Sequence, residues 1–347
     1  MNRRGRREKG MRSVFFPRLI NGPFGDPAFY VRLAHRGEAL LFDCGDLHSL
    51  TTREHLKIRA VFISHAHIDH LVGFGRLLRT FLYQDTCLSI YGPPGIIDRI
   101  AGQLAGYTWN LIEGYPLSLN VYEWGDPAGR KATFRAAHAF HAEAALVWEC
   151  HDGLLRETSY YRVRAVPLDH GDIVSLAFTL EEPRHVAIHK DALERLGYCS
   201  GHWLTCFKDL LRQETPALTL LPVPLEAGET VHLPLGTLSK QIAHLERGMK
   251  LCYVTDAAPT QQNQEKIIAL AANSHLLAIE ATFADADAER AASRSHLTAR
   301  LAGELGRKAQ AARLLVFHHS PRYLDRPEIL RNEAETAFRK MPQDVQG

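Results

Sequence analysis

The stretch Ser64-His65-Ala66-His67-Ile68-Asp69-His70 decides the fold, because it places four potential metal ligands within six consecutive residues. It follows an apolar run at 59–64, which predicts a β-strand, and it precedes a helical pattern from Leu71 to about Tyr83. Imidazole nitrogens and carboxylate oxygens bind divalent zinc or manganese. Four donors at one strand-to-helix turn would crowd a single ion, whereas they suit two adjacent ions that other parts of the chain complete. The alternative is a solvent-exposed, histidine-rich turn without a metal.

The composition around this stretch is that of a folded protein rich in potential ligands. The chain has 347 residues, of which 46% are hydrophobic and 23% charged, and this excludes a mostly disordered chain. Nineteen histidines are unusual, and metal binding is the first explanation to test. A net charge of +2 gives no strong field that would attract nucleic acid. The six cysteines form no C-x-x-C pair and no apolar run approaches the roughly 18 residues of a membrane span. We therefore predict a cytoplasmic protein without membrane association.

Short strands and amphipathic helices alternate along most of the chain, which predicts an α/β fold. Further strands are expected at 14–20, 28–33, 39–42, 88–91, 118–123, 131–137, 144–149, 160–166 and 174–180. The alternation resumes with strands at 250–255, 275–280 and 312–317 and with helices at 261–272, near 285–306 and after Pro327. Two similar halves, each with a set of strands and outer helices, predict a four-layer αββα sandwich.

Two changes in composition along the chain predict the domain organisation. Residues 1–12 are basic and are expected to form a flexible tail, in which Met11 is an alternative start. Residues 13–347 are expected to form a single domain with an inserted arm at about 183–235. Two short helices, at 190–196 and 203–211, precede a proline-rich stretch at 216–234 in this arm.

Several further motifs accompany the histidine stretch. They are Leu41-Phe42-Asp43-Cys44-Gly45, Leu71-Val72-Gly73-Phe74-Gly75, Pro167-Leu168-Asp169-His170-Gly171, Tyr253-Val254-Thr255-Asp256, Glu280-Ala281-Thr282-Phe283, Ser295-His296-Leu297-Thr298 and His318-His319-Ser320-Pro321-Arg322-Tyr323. With these motifs the chain resembles the metallo-β-lactamase superfamily and, within it, the ribonuclease Z branch of tRNA 3′-processing endonucleases. The resemblance covers most of residues 14–325, and the last three motifs are the ones most specific to the nuclease branch.

The resemblance implies a fold, a metal centre and the ligands of each ion. The fold is the metallo-β-lactamase αββα sandwich. One ion, Zn²⁺ or Mn²⁺, would be held by His65, His67 and His170. The second would be held by Asp69, His70 and His318, and Asp256 would bridge the two. Each ion would then have several N/O donors and an open position for activated water. Taken alone, His170 could be an ordinary loop histidine and Asp256 a strand-end carboxylate. His318 is chosen over His319 because the family places the ligand first.

The same resemblance implies the catalytic residues. Asp69 would be catalytic as a metal ligand, His296 would be the general acid for the departing 3′-oxygen, and Glu280 would orient His296. The structural alternatives are a helix-cap histidine and a strand-end carboxylate. The implied reaction is hydrolysis of a phosphodiester by metal-activated hydroxide.

The substrate is less well defined by the sequence, because the chain departs from the family pattern. Thr255-Asp256-Ala257 stands where the family has Gly-Asp-Thr, and Ile279 stands where it has a histidine. The family's arm carries a Gly/Pro-rich segment followed by Leu-Lys, and here only Leu196-Gly197-Tyr198-Cys199-Ser200-Gly201-His202-Trp203 and then Phe207-Lys208 are found. We predict a homodimer that removes 3′ trailers from precursor tRNA, with substrate contacts from Trp203, Lys208 and Arg212 of the arm and from Arg322. The alternatives are hydrolysis of a small phosphodiester or ester, and a non-catalytic RNA-binding scaffold.

Overall fold

The computed structural model describes residues 14–340, which form two compact units. The first unit contains the residues up to Leu155, Arg164–Thr179 and the residues from Leu251 onwards. The second contains Arg156–Val163 and Leu180–Lys250. The basic tail predicted at 1–12, including Met11, lies outside the described residues. No helix within 14–340 is long and apolar enough to cross a membrane.

The strands, in chain order, are β1 Phe15–Leu19, β2 Phe29–Leu33, β3 Ala39–Phe42, β4 Ile58–Phe62, β5 Cys87–Gly92, β6 Ser118–Glu123, β7 Ala128–Arg135, β8 Leu146–Glu149, β9 Leu154–Glu157, β10 Arg162–His170, β11 Ile173–Glu181, β12 His185–Ile188, β13 Leu220–Pro224, β14 Thr230–Pro234, β15 Ala243–Glu246, β16 Lys250–Val254, β17 Leu276–Glu280 and β18 Leu314–Phe317. The helices are α1 Thr52–His55, α2 Ile68–Leu71, α3 Phe74–Phe81, α4 Ile96–Ala105, α5 Lys190–Arg195, α6 Trp203–Arg212, α7 Leu235–Ile242, α8 Gln261–Ala271, α9 Ala288–Ser293, α10 Ala299–Lys308 and α11 Glu328–Arg339.

Two large sheets provide the frame of the fold. The first has the order β1-β2-β3-β4-β5-β6-β7-β8, and its central strands β3 to β6 run parallel. The second has the order β18-β17-β16-β11-β10-β9, and β16, β17 and β18 run parallel. The carboxyl ends of neighbouring parallel strands meet at one edge of a sheet, which is where α/β proteins commonly place their sites.

The core of the first unit lies between the sheets and under the outer helices. The Phe178 ring of β11 lies 5.7 Å from Phe42 and 5.9 Å from Phe62, both of which belong to the first sheet. Tyr253 of β16 stacks on Phe29 at 5.6 Å. Each such aromatic pair contributes about 0.5–1.5 kcal/mol beyond its area burial. The apolar faces of α3 and α4 cover the first sheet, and those of α8, α10 and α11 cover the second. The protein therefore has the αββα architecture.

The prediction of one long helix near 285–306 is wrong, because the structure has two helices there, α9 and α10, with a non-helical segment between them. Ser295 adopts a left-handed φ of +57°, and the backbone N–H groups of Ser295 and His296 close the end of α9. The Thr298 side chain then accepts from the N–H of Leu301 and so begins α10 as its N-cap. Apolar periodicity continues across the break and conceals it, although Thr298 is a recognisable cap. The break leaves His296 between two helices.

The second unit has a small core of its own. Strands β13 and β14 form a hairpin, β12 pairs with β15, and α5, α6 and α7 pack on them. Trp203, Phe207 and Leu238 are among the residues buried in this core. The arm predicted at about 183–235 lies inside the second segment of this unit.

Candidate metal centre

The histidine stretch follows the end of β4, and its histidines differ in burial. Ser64 and His65 leave the strand buried, and His67 is the extended residue that precedes α2. Asp69 and His70 lie in the single turn of α2, with Oδ2 of Asp69 3.4 Å from Nε2 of His70. The rings of His65 and His70 are 4.1 Å apart. The local sequence thus concentrates four donors at one end of the strand.

The remaining predicted ligands come from the ends of strands in the second sheet. His170 ends β10, Asp256 follows β16, and His318 follows β18. Asp256 and His318 adopt left-handed φ values of +45° and +58°. Such a backbone costs on the order of 1–3 kcal/mol for a residue other than glycine, although Asp and His tolerate it better than most. Strain of this kind is typical of a site whose side-chain directions matter more than local stability.

Three groups of donor atoms lie close enough to hold a cation, with all atoms of a group within 4.8 Å of one another. The groups are His65-His67-His170-Asp256, Asp69-His70-His318 and Asp256-Glu280-His296-His318. The structure therefore brings together all seven residues that the sequence predicts as ligands.

The Asp256 carboxylate lies between the two predicted ligand sets. Its Oδ2 is 3.4 Å from Nε2 of His65 and 3.6 Å from Nε2 of His170. The same oxygen is 3.5 Å from Nε2 of His70, while Oδ1 is 2.9 Å from Nδ1 of His318. This central position is the one expected of a carboxylate that contacts two ions.

The donor set fits a divalent cation, because several of its buried ring nitrogens lack a hydrogen-bond partner within the described residues. Nε2 of His65, Nε2 of His70 and Nδ1 of His318 are buried, and none has a hydrogen-bond partner of good geometry among residues 14–340. A buried polar atom left in this way costs about 1–3 kcal/mol, unless an ion takes the lone pair. Burial, together with the neighbouring His70, lowers the pKa of His65 to about 2, so its ring is neutral, as a ligand must be.

The centre also carries concentrated negative charge. Burial opposes ionisation of Asp69, but the neighbouring rings of His318 and His70 hold the pKa of this carboxyl well below its usual range. Burial likewise disfavours a charged His318, yet Asp256 and Asp69 raise the pKa of its ring to about 10. The charge that favours a proton on His318 is the charge that a divalent cation would neutralise.

Asp43 orients one ligand and was given no role by the sequence. Its Oδ2 accepts from Nδ1 of His70 at 2.9 Å and from Oγ of Ser64 at 2.8 Å, while Oδ1 accepts from the Ser64 N–H at 2.7 Å. Because Nδ1 of His70 donates here, its Nε2 presents a lone pair to the centre. Nδ1 of His170 is similarly fixed by the carbonyl of Ser295 at 2.9 Å. The sequence feature that could have predicted this role is that Asp43 directly follows β3, the parallel neighbour of β4.

His296 and Glu280 form a hydrogen-bonded pair beside the ligands. Nδ1 of His296 lies 2.9 Å from Oε2 of Glu280, which is fully buried at the end of β17. Glu280 also accepts from the Thr282 hydroxyl and from the N–H of Ala257. Burial would lower the pKa of His296, but the Glu280 carboxylate raises it. A histidine that is held protonated and oriented in this way is suited to donate a proton.

His319 has a separate, structural position. Its Nδ1 bonds to the carbonyl of Ala281 at 2.8 Å, and its ring packs edge-on against Phe24. Burial lowers the pKa of His319 to about 4, so the ring is neutral and apolar contacts suit it. The structure thus brings His318, and not His319, next to Asp69 and Asp256.

A cavity of about 510 Å³ opens on the centre within the first unit. It is lined by His67, Asp69, His170, Asp256, Thr282, Phe283, Arg290, Arg294, His296, His318, His319, Ser320 and Pro321. Arg290 and Arg294 were not predicted as site residues, because the expected long helix gave no reason to place them near the ligands.

Two of the predicted substrate contacts, Trp203 and Arg212, lie in the interior of the second unit. Trp203 is only 8% exposed and donates its indole N–H to the carbonyl of Cys199, so it belongs to the core of the second unit. The Arg212 side chain is 5% exposed and pairs with Glu182 at 2.9 Å and with Asp209 at 3.2 Å. Both side chains are mostly buried in the interior of that unit and leave little surface for a substrate.

The other two residues predicted to contact the substrate, Lys208 and Arg322, are at least partly accessible. Lys208 is half-buried on α6. Arg322 is exposed in the turn after β18, with its guanidinium 3.6 Å from Asp287.

Comparison with known proteins gives consistent relatives. Residues 22–92 match the family model of the metallo-beta-lactamase superfamily. The chain is 31% identical over 321 residues to Ribonuclease Z of Deinococcus radiodurans, covering 90% of this chain and 93% of the relative. It is also 31% identical over 311 residues to Ribonuclease Z of Salinibacter ruber, covering 87% and 82%. Among solved structures, the metallo-beta-lactamase fold protein YhfI from Bacillus subtilis superposes with a TM-score of 0.52, at 17% identity and 92% coverage of both chains. This last likeness concerns the fold alone.

Proposed function

The chain belongs to the ribonuclease Z family of the metallo-beta-lactamase superfamily, and on that premise we propose that it removes 3′ trailers from precursor tRNA. The family relationship makes the protein a hydrolase that depends on divalent metal. The observation that carries the proposal is the hydrogen-bonded pair of His296 and Glu280 next to a complete set of seven donors. A non-catalytic scaffold would have no need to keep both.

Two divalent ions, zinc or manganese, are proposed to occupy the centre. His65, His67 and His170 would hold one, and Asp69, His70 and His318 would hold the other. Asp256 would contact both. When bound, such a pair supplies Lewis acidity at phosphorus and a nucleophile that is activated at neutral pH. The proposal is supported by the buried nitrogens of His65, His70 and His318 that have no hydrogen-bond partner of good geometry among residues 14–340.

The protein's own residues supply the proton for the leaving group. Nδ1 of His296 is committed to Glu280, so the proton available for transfer is the one on Nε2. His296 would deliver this proton to the departing 3′-oxygen and thereby prevent an alkoxide from forming. Glu280 would hold the ring in place and stabilise its charged form. A general acid of this kind contributes typically 10²–10⁴-fold to the rate.

The second unit is proposed to hold the body of the tRNA. Its exposed cations include Lys190 and Arg195 on α5, and Lys208 on α6 is half-buried. Cations of this kind position a nucleic acid through its phosphates without reading sequence. Arg322 is proposed as a further contact from the first unit. We also propose that the protein acts in the cytoplasm as a homodimer.

A second candidate substrate is a small phosphodiester or ester. It is favoured by the burial of Trp203 and Arg212, which removes two expected RNA contacts, and by the net charge of only +2. One assay separates the candidates: purified protein is incubated with 3′-extended precursor tRNA and with a chromogenic phosphodiester, each with and without a chelator. We expect metal-dependent cleavage of the RNA at a single position. Turnover of the small ester alone would contradict the tRNA assignment.

A further inference from the structure

One wall of the metal cavity is cationic. Arg290 and Arg294 both line it, and both are exposed. They are four residues apart, and the N–H of Arg294 bonds to the carbonyl of Arg290 at 3.1 Å, which continues the helical turn of α9. Residues at this spacing share one face of a helix. The two guanidinium groups therefore project from the same side of α9 into the same cavity.

These two arginines differ from others on the surface of the first unit. In the part of the chain that the structure describes, neither side chain has an ion-pair or hydrogen-bond partner. By contrast, Arg300 pairs with Asp285 and Glu304, and Arg339 pairs with Glu335. Surface arginines that are free of carboxylates and directed into a cavity remain available to a ligand. A guanidinium matches the oxygens of a phosphate by two parallel hydrogen bonds, so the ligand they suit is a phosphate.

The position of α9 indicates which phosphate this is. Arg294 is two residues before His296, and the His296 N–H bonds to the carbonyl of Ala291 in α9 at 2.9 Å. The cationic wall is therefore adjacent to the residue that faces the leaving 3′-oxygen. That oxygen belongs to the nucleotide on the 5′ side of the cut, and the next phosphate on this side is one nucleotide away.

We propose that Arg290 and Arg294 bind the backbone phosphate one nucleotide 5′ of the scissile bond, on the side that becomes mature tRNA. This inference rests on the proposed function and deepens it. The two arginines are substrate-binding residues close to the chemistry, distinct from the contacts proposed for the second unit. They hold the strand so that the leaving oxygen lies within reach of His296. They also make the processed tRNA, which retains this phosphate, a ligand of the enzyme.

The test measures binding of processed tRNA, which cannot be cleaved, to the metal-loaded enzyme. Three variants are compared with wild type: R290Q, R294Q and the double change. The matched control is the double variant R300Q/R339Q, which loses the same charge away from the cavity. Each protein is also tested on tRNA that carries a neutral methylphosphonate in place of the phosphate in question. KM and kcat for precursor tRNA are measured in parallel, with metal content as the check on integrity.

We expect each single change to weaken binding roughly tenfold, as for loss of a charged hydrogen bond, and the double change to weaken it further. The slope of log affinity against log salt should fall by about 0.7 for each lost contact with a single strand. The methylphosphonate should weaken wild type but leave the double variant nearly unaffected, because the contact is already gone. R290K/R294K should recover part of the affinity.

Two results would overturn the inference. One is that R290Q/R294Q and R300Q/R339Q bind processed tRNA with equal affinity. The other is that R290Q/R294Q loses as much affinity for methylphosphonate tRNA as for native tRNA, relative to wild type. A larger effect of a methylphosphonate placed on the 3′ side of the cut would reverse the proposed polarity and so also contradict it. If wild type itself cleaves no precursor tRNA, the proposed function fails. If wild type cleaves it and the variants match their control, only this inference fails.

Discussion

The hydroxyl of Tyr253 donates to Oδ2 of Asp43 at 2.8 Å, although 210 residues separate the two. Tyr253 belongs to β16 of the second sheet, and Asp43 follows β3 of the first. The same carboxylate oxygen accepts from Nδ1 of the predicted ligand His70. One buried carboxylate therefore links the two sheets and orients a predicted ligand.

Replacing Tyr253 by Phe should reduce both stability and metal binding. Loss of a buried hydrogen bond to a charged group costs about 1.5–3 kcal/mol of the free energy of unfolding. Asp43 would then hold His70 less firmly, and metal affinity should fall. Urea denaturation and competitive metal titration measure the two effects. Tyr83→Phe, at an exposed ring, is the control. Unchanged metal affinity in Tyr253→Phe would show that Asp43 does not transmit the effect.

Metal analysis of chelator-free protein should give about two zinc or manganese ions per chain, because the donors fall into two sets joined by Asp256. The measurement is elemental analysis against protein concentration. A reproducible value of one or less, without recovery on adding metal, would contradict the dinuclear centre.

Asp69→Ala should abolish turnover and lower the occupancy of one ion selectively. The carboxylate would be the charged ligand in the set with His70 and His318, and its Oδ2 lies 3.3 Å from Nε2 of His318. Metal content and turnover should be measured on the same preparation. Retention of two tightly bound ions would exclude Asp69 as a ligand.

His296→Ala should leave both ions bound while slowing turnover by roughly 10²–10⁴-fold, since it removes a proton donor and not a ligand. Metal analysis distinguishes this outcome from simple loss of the centre. His319→Ala is a useful comparison, because His319 bonds to a backbone carbonyl nearby. If His296→Ala loses metal, or retains the wild-type rate, the assignment as general acid is wrong.

Arg212→Ala should destabilise the second unit by about 3–5 kcal/mol, because it leaves the 1% exposed carboxylate of Glu182 without its cation. Arg184→Ala is the control: its guanidinium pairs with exposed Glu214, and surface pairs of this kind contribute up to about 1 kcal/mol. Hydrogen exchange within 180–250 is the measurement. If Arg212→Ala keeps wild-type protection from hydrogen exchange and yet binds RNA more weakly, Arg212 is a substrate contact after all.

The histidine stretch could be predicted because its donors are local, so their types and spacing carry the chemistry without knowledge of the fold. His170, Asp256 and His318 required family resemblance, since nothing near them in sequence indicates that three strands end at one place. The contact of Asp43 with Tyr253 depends on the docking of two sheets, and residue patterns do not report that.

The errors have a similar physical origin. Trp203 and Arg212 have side chains that suit an RNA surface and a buried network equally well, and only their burial distinguishes the two. Arg290 and Arg294 were not predicted as site residues, because the apolar periodicity continues across the break at Ser295 and predicts one long helix. The end of α9 next to His296 is visible only in the structure.

The spread of the ligands along the chain has a consequence for synthesis of the protein. A ribosome completes the stretch from His65 to His70 early, before the other predicted ligands have been made. Asp256 and His318 emerge much later, and the last strand of the second sheet comes just before His318. Because domains form as the chain emerges from its amino-terminal end, the full set of predicted ligands can assemble only after β18 has joined its sheet. The centre can therefore form only when both sheets have been made and assembled, and a chain that ended before β18 would lack His318 and so a complete set of donors.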